Sequence, residues 1–222
     1  GTRDELQNMM IDDELTPRER RYHRTQQAIL TAARQLLTEG GVDKLSIRAI
    51  ADRIDYSPAG LYEYYGSKEE IIGALAMQGH RMLKRYMERV SLTLPSDQYM
   101  VEIGMAYIQF AIQNPDYFLL IFTSIVTRPS TDEQPPAPDS TEVRDEDSSF
   151  PLLLQGVQRA VDAGVVHFLT GLGLMETAYA FWAVVHGAAM LRVTHLSQLP
   201  MDFDQADKLM LAAFVRGMGS TE

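Results

Sequence analysis

The chain has 222 residues, 45% of them hydrophobic, and a formal charge of −10, a length that supports one large domain or two small ones around a real core. The absence of cysteine excludes disulfides and Cys-ligated zinc or iron–sulfur centres. No uninterrupted apolar run reaches the roughly 18 residues of a membrane span, and GTRDELQNMMIDDELTP at the start holds no signal-peptide core, so a cytoplasmic protein without membrane attachment is expected.

Residues 1–15 read as a flexible arm. Thr16-Pro17-Arg18-Glu19 then reads as a helix start, with Thr16 as cap, Pro17 at the first helical position and Glu19 completing a capping box. Apolar Ile29, Ala32, Ala33, Leu36 and Leu37 form a helical stripe that Gly40-Gly41 ends. Ser46 caps a short helix carrying Ile47, Ile50, Ala51 and Ile54, and Asp55-Tyr56 forms a turn. Ser57 caps a third short helix with Pro58 first. Ser67-Lys68-Glu69-Glu70 opens a long helix to about Leu92. Further helices are predicted from Pro95-Ser96-Asp97 to Asn114-Pro115, over 116–127, 150–163, 172–195 and 204–217. Residues 128–149 hold four Pro, seven acids and no aromatic residue. They read as a mobile acidic loop that cannot bury enough apolar surface to offset ordering. No strand alternation and no repeat is found, so the expected fold is all-α: a domain of three short helices over 16–75 and a larger helical bundle over 76–222.

Residues 47–66 have the spacing of a helix-turn-helix. Small Ala51 sits where the two helices cross closely, Asp55 takes the turn, and Leu61 buries the second helix. The turn needs a left-handed backbone, which Asp tolerates better than most residues. Such a unit presents its second helix to the major groove. The charge is unevenly spread: residues 17–75 carry nine Arg and Lys against eight acids, and residues 76–222 carry ten against seventeen. The cations that meet phosphate are therefore sought in the first third.

The run Ile29-Leu30-Thr31-Ala32-Ala33, Leu45-Ser46-Ile47-Arg48-Ala49-Ile50-Ala51 and Tyr56-Ser57-Pro58-Ala59-Gly60-Leu61-Tyr62-Glu63-Tyr64-Tyr65-Gly66-Ser67-Lys68-Glu69 resembles the tetracycline-repressor (TetR) family over about fifty residues. Asp55 stands where Gly is usual, Ala59 where Gly is common, and Tyr65 where Phe is usual. The resemblance implies phosphate contacts at Ser46 and Arg48, a recognition helix lined by Ser57, Pro58, Gly60, Tyr62 and Tyr64, and a phosphate grip by Lys68 at the next helix start. Tyr62 and Tyr64 are otherwise packing aromatics, Arg48 otherwise a solvated charge, and the two serines are caps in either case. Arg18, Arg20, Arg21 and Arg24 crowd a helix start that disfavours cations. Either DNA, with Arg20 and Arg24 foremost, or Asp12, Asp13 and Glu14 would offset this.

Past residue 75 the helices are rich in Met and aromatic residues, mostly core, but also suited to a small apolar ligand. Phe181-Trp182-Ala183-Val184-Val185-His186-Gly187 resembles the Trp-x-x-x-His-Gly motif of one C-terminal class within the same family. The expected ligand site is Met105, Tyr107, Phe118, Phe122, Trp182 and His186, with His186 either the polar ligand contact or a hydrogen-bonded core residue. The two long C-terminal helices, 172–195 and 204–217, are expected to pair into a homodimer that reads a palindromic double-stranded operator. No Ser–His–Asp arrangement, HExxH, phosphate loop or paired His is present. An enzyme, a metal site and a cofactor are therefore not expected. The function implied is a sequence-specific transcription regulator, a repressor released by its ligand. The alternative is a related interaction or sensor module that has lost DNA binding.

Overall fold

Thr16 starts the first helix as its sequence dictates: its side chain accepts the Glu19 N–H at 3.3 Å, and the Glu19 carboxylate accepts the Thr16 N–H at 2.7 Å. The computed structural model describes residues 15–123, 146–168, 171–196 and 198–219. The helices are α1 (Pro17–Gly40), α2 (Ile47–Arg53), α3 (Pro58–Leu61), α4 (Lys68–Glu88), α5 (Ser96–Gln113), α6 (Pro115–Thr123), α7 (Phe150–Asp162), α8 (Leu174–Thr194) and α9 (Phe203–Gly219), with a 3-10 turn at Val42–Lys44. Among the described residues there is no strand, and the fold is all-α. The arm 1–14 and the acidic stretch 128–145 lie outside the described residues.

Two compact units divide after Leu75. In the first, α1 buries Ile29, Leu30, Ala32, Ala33, Leu36 and Leu37. Against them lie Leu45, Ile50, Ala51, Leu61, Ile71 and Leu75, each at 2% exposure or less. Ile47 and Ile54 are only half-buried. Gly41 ends α1 at φ 72°, and its N–H bonds to the Leu37 carbonyl at 2.7 Å. The α2 terminus is more unusual. The Tyr56 N–H reaches back to the Ala51 carbonyl at 3.0 Å, a closure that requires Asp55 to adopt φ 56°. Leu61, at 0% exposure, locks α3 down; truncation to Ala would cost about 2–5 kcal/mol.

In the second unit α5 is central and packs against α6, α7, α8 and α9. Its buried side chains, from Tyr99 through Ala111, lie on nearly every side. Gly104 permits the crossing. A Cβ there would stand 2.8 Å from Leu211 Cδ1 and 3.2 Å from Phe181 and Val185, so the space of one methyl group separates α5 from α8 and α9.

Three boundaries differ from the sequence reading. α4 stops at Glu88 rather than near Leu92: Ser91 takes the Thr93 N–H at 3.2 Å, and such local bonds compete with the helix. α8 begins at Leu174 rather than Leu172 because Gly171 turns at φ 83° and Gly173 serves as cap, its N–H donated to Glu176 at 2.9 Å. The expected mobile loop does not extend to 149. Asp147 is only 8% exposed and is forked by Arg81 at 2.9 and 3.3 Å. Lys84 donates to the Glu146 carbonyl. Asp147 is thus packed against α4, with residues 148 and 149 half-buried beside it. Composition gave no sign of this, because the partners lie more than sixty residues away.

Candidate nucleic-acid interface and apolar cavity

The turn between α2 and α4 is built by capping. The Ser46, Ser57 and Ser67 hydroxyl oxygens accept from Ala49, Gly60 and Glu70 N–H at 3.0, 3.1 and 3.2 Å. As acceptors in these caps, the hydroxyls keep their own O–H for a phosphate oxygen. Ser46, Arg48, Ser57, Pro58 and Tyr62 are exposed, and Gly60 and Lys68 are half-exposed. Tyr62 presents 55% of its surface. Lys68 is the first residue of α4, where free N–H groups add to its charge. Arg53 forks onto Glu39 at 2.7 and 2.9 Å and fixes α2 to the end of α1.

Two expected contacts are placed differently. α3 ends at Leu61 with Tyr62 as its C-cap, so Tyr64 lies past the helix. Its ring stacks on Tyr22 at 4.8 Å and meets Tyr56 edge-on at 6.3 Å, which makes it a brace between α1 and the turn. Tyr22 stands seven residues before Ile29 on the same side of α1, and that spacing was the available signal. Arg20 donates to the Leu15 carbonyl at 2.6 Å and so holds the start of α1. Arg24 is exposed, with Nε bonded to the Arg20 carbonyl at 3.4 Å.

The second unit holds a cavity of about 320 Å³. α4 contributes His80, Leu83 and Met87; α5 contributes Ile103, Gly104 and Tyr107; α6 contributes Phe122; α8 contributes Phe181, Trp182 and Val185. Ser148, Ser149, Phe150 and Leu153 close the remaining wall. Of the six residues the sequence nominated, Tyr107, Phe122 and Trp182 are on this wall. Phe118 is not: at 0% exposure it lies behind, edge-on to Tyr107 at 5.9 Å. Met105 is half-buried and off the wall, because one residue of helix turns a side chain by about 100° from Gly104. His186 also stands behind the wall.

The Trp182 indole N–H donates to the Tyr107 oxygen at 3.2 Å, and Tyr107 pairs with His186 Nδ1 at 2.8 Å. Burial raises the Tyr107 phenol above its ordinary pKa, partly opposed by the Trp182 hydrogen bond, and lowers that of His186. Both stay neutral, and the tautomer of the imidazole sets the direction: with the proton on Nε2, the tyrosine O–H donates to the Nδ1 lone pair. The Trp-x-x-x-His spacing thus fastens a single tyrosine on α5. His80, Leu83 and Met87 were missed; their i, i+3, i+7 spacing on α4 was the available signal.

A third surface lies on α8 and α9. Met175, Tyr179 and Leu191 are 54%, 65% and 48% exposed, and Leu209 is 61% exposed. Ala183, Gly187, Ala213 and Gly217 lie exposed between them. Residues 175, 179, 183, 187 and 191 recur every fourth position along one face. α8 is long and apolar enough by length and composition to cross a membrane, with 28% of its most apolar stretch buried. Its small-residue stripe is the kind that admits a second helix at close range.

Residues 29–75 match the family model described as bacterial regulatory proteins, tetR family, and residues 100–214 match that described as tetracyclin repressor-like, C-terminal domain. YobS of Bacillus subtilis, described as an uncharacterized HTH-type transcriptional regulator, is 30% identical over 94 residues, which is 42% of this chain and 49% of YobS. The match thus spans about half of that relative. Among solved structures, the TetR family regulator PfmR of Thermus thermophilus superposes with a TM-score of 0.61 at 21% identity, covering 85% of this chain and 97% of PfmR. AibR, solved in complex with isovaleryl coenzyme A and operator DNA, gives 0.63 at 16% identity, covering 86% and 98%. At these identities the likeness is one of fold. With a capped helix-turn-helix at its start and over half its length matched by the C-terminal family model, the chain belongs to the TetR family of DNA-binding transcription regulators.

Proposed function

We propose that the protein is a homodimeric repressor that holds a palindromic operator and releases it when a small apolar ligand fills the cavity. The observation that carries this reading is the exposed run Ser57, Pro58 and Tyr62, with Lys68 opening the next helix. Caps and a buried Leu61 hold the backbone rigid, so its free side chains are presented with little backbone ordering left to do. Pro58, Gly60 and Tyr62 read bases, while Ser46, Arg48, Ser57 and Lys68 take phosphates. Tyr64 supports Tyr22 and acts indirectly. One such turn is too small for specific binding, and the exposed α8–α9 face supplies the two-fold partner. The regulator acts in the cytoplasm, where its operator lies.

α4 joins input to output. Its first residue is Lys68, and His80, Leu83 and Met87 on the same helix wall the cavity. A ligand that favours one placement of α4 shifts the spacing of paired turns away from half-sites about 34 Å apart. A coupling of about 1–3 kcal/mol corresponds to a 5- to 150-fold change in operator affinity. That AibR has been solved with both a coenzyme A thioester and operator DNA supports two such sites on this fold. The test is footprinting on the DNA flanking the gene. The expected result is one protected, two-fold symmetric site; uniform protection without a preferred site would overturn the proposal.

A further inference from the structure

The polar groups of the cavity narrow the class of ligand, an inference that rests on the cavity being the sensing site. Tyr107, Trp182 and His186 satisfy one another, as described. Ser148 accepts the Phe150 N–H at 3.2 Å. His80 differs. It lies on the wall, edge-on to Phe122 at 6.4 Å, and has no hydrogen-bond partner among the described residues. Burial keeps its ring below the ordinary imidazole pKa, partly opposed by Asp147. It therefore offers one N–H and one lone pair.

Among the described residues that line the cavity there is no Asp, Glu, Lys or Arg. Arg81, next to His80 in sequence, is forked onto Asp147. A charged ligand would lose its hydration with no counter-charge to meet it. The shape adds a second limit. His80 and Met87 are seven residues apart on α4, about 10 Å along the helix axis. A volume of about 320 Å³ holds about fourteen heavy atoms at close-packed density. We infer that the cavity takes an uncharged, elongated, mainly hydrocarbon ligand with a single oxygen function, of the ketone or secondary-alcohol class, whose oxygen hydrogen-bonds to His80.

The test is a matched set of chains of about ten carbons: methyl ketone, secondary alcohol, alkane, carboxylate and ammonium. Binding is followed without DNA, by fluorescence of Trp182, the only tryptophan. The ketone and alcohol should bind at least tenfold tighter than the other three. His80→Phe should bring the ketone down to the alkane and leave the alkane unchanged, and His80→Gln should restore part of the difference. A carboxylate or ammonium that binds as tightly as the ketone would overturn the inference, as would an equal loss of ketone and alkane in His80→Phe, or no binding by any member. Should His80→Phe fail to fold, the ketone-to-carboxylate ratio on the unaltered protein decides. Release of the footprinted operator is measured separately. A ketone that binds through His80 yet leaves the operator occupied would refute the release mechanism and leave the ligand class standing.

Discussion

Gly187→Leu should separate the protomer from the dimer. A Cβ at Gly187 meets nothing within 4 Å in the protomer, so the new side chain has room there. Removing glycine from a helix interior should also stabilise α8 by about 0.5–1 kcal/mol. In a pair of α8 helices the same position lies on the contact stripe, between exposed Ala183 and Leu191. Overpacking costs about 1–3 kcal/mol per site, and two-fold symmetry doubles it to about 2–6 kcal/mol. At 1.4 kcal/mol per decade, the dimer constant weakens by about thirty-fold at the least. Sedimentation equilibrium over a concentration series reads that constant, and a thermal melt at a concentration where both forms are monomeric reads the protomer. The expected result is a weaker dimer, an unchanged or raised melting temperature and a parallel loss of operator affinity. An unchanged dimer constant would place the interface on another face, and a lowered protomer melt would show that Gly187 is packed.

Asp55→Gly removes a left-handed non-glycine residue and an exposed acid beside the reading turn. It should stabilise the chain by up to about 1 kcal/mol and raise operator affinity several-fold at low salt, by melting and anisotropy; a loss of stability would show that the carboxylate is used. Arg81→Ala leaves Asp147 buried without its fork. Because Arg81 is 50% exposed, the cost is discounted to about 1–2 kcal/mol, and ligand should leave faster as the wall at Ser148 and Ser149 loosens; an unchanged melt and off-rate would contradict this. His80 and His186 both have folded pKa values lowered by burial. The unfolded chain therefore binds more protons below about pH 6.5. Their contribution to stability is complete above that pH and is lost as acidity rises, so the wild-type melt should drop from pH 7 to 5 more steeply than that of His186→Gln. Parallel curves would refute the assignment.

The first unit was legible because its signals are local. Thr16, Ser46, Ser57 and Ser67 cap, Pro17 and Pro58 open helices, and each effect acts within four residues. Even the left-handed turn at Asp55 follows from helix-turn-helix spacing. The cavity was legible only in part. Its wall is chosen by which face of α5 meets α8, and composition does not encode that. Met105 and Gly104 are neighbours in sequence, yet only Gly104 lies on the wall. His186 drew attention as a polar residue in an apolar helix, but Tyr107, seventy-nine positions away, occupies its nitrogen. His80 signalled only through its i, i+3, i+7 spacing with Leu83 and Met87, and the long-range pairing of Asp147 with Arg81 was hidden inside an acidic run.

The most direct measurement is the salt dependence of operator binding by fluorescence anisotropy, with and without Lys68→Ala. If the dimer covers about six to ten phosphates, log affinity should fall against log salt with a slope of about −5 to −9. Lys68→Ala uncovers one phosphate in each half-site. It should flatten that slope by about 2 while leaving the order of preference among operator variants unchanged. A slope near zero, or one that Lys68→Ala leaves unaltered, would contradict the placement of the DNA-holding site at the head of α4.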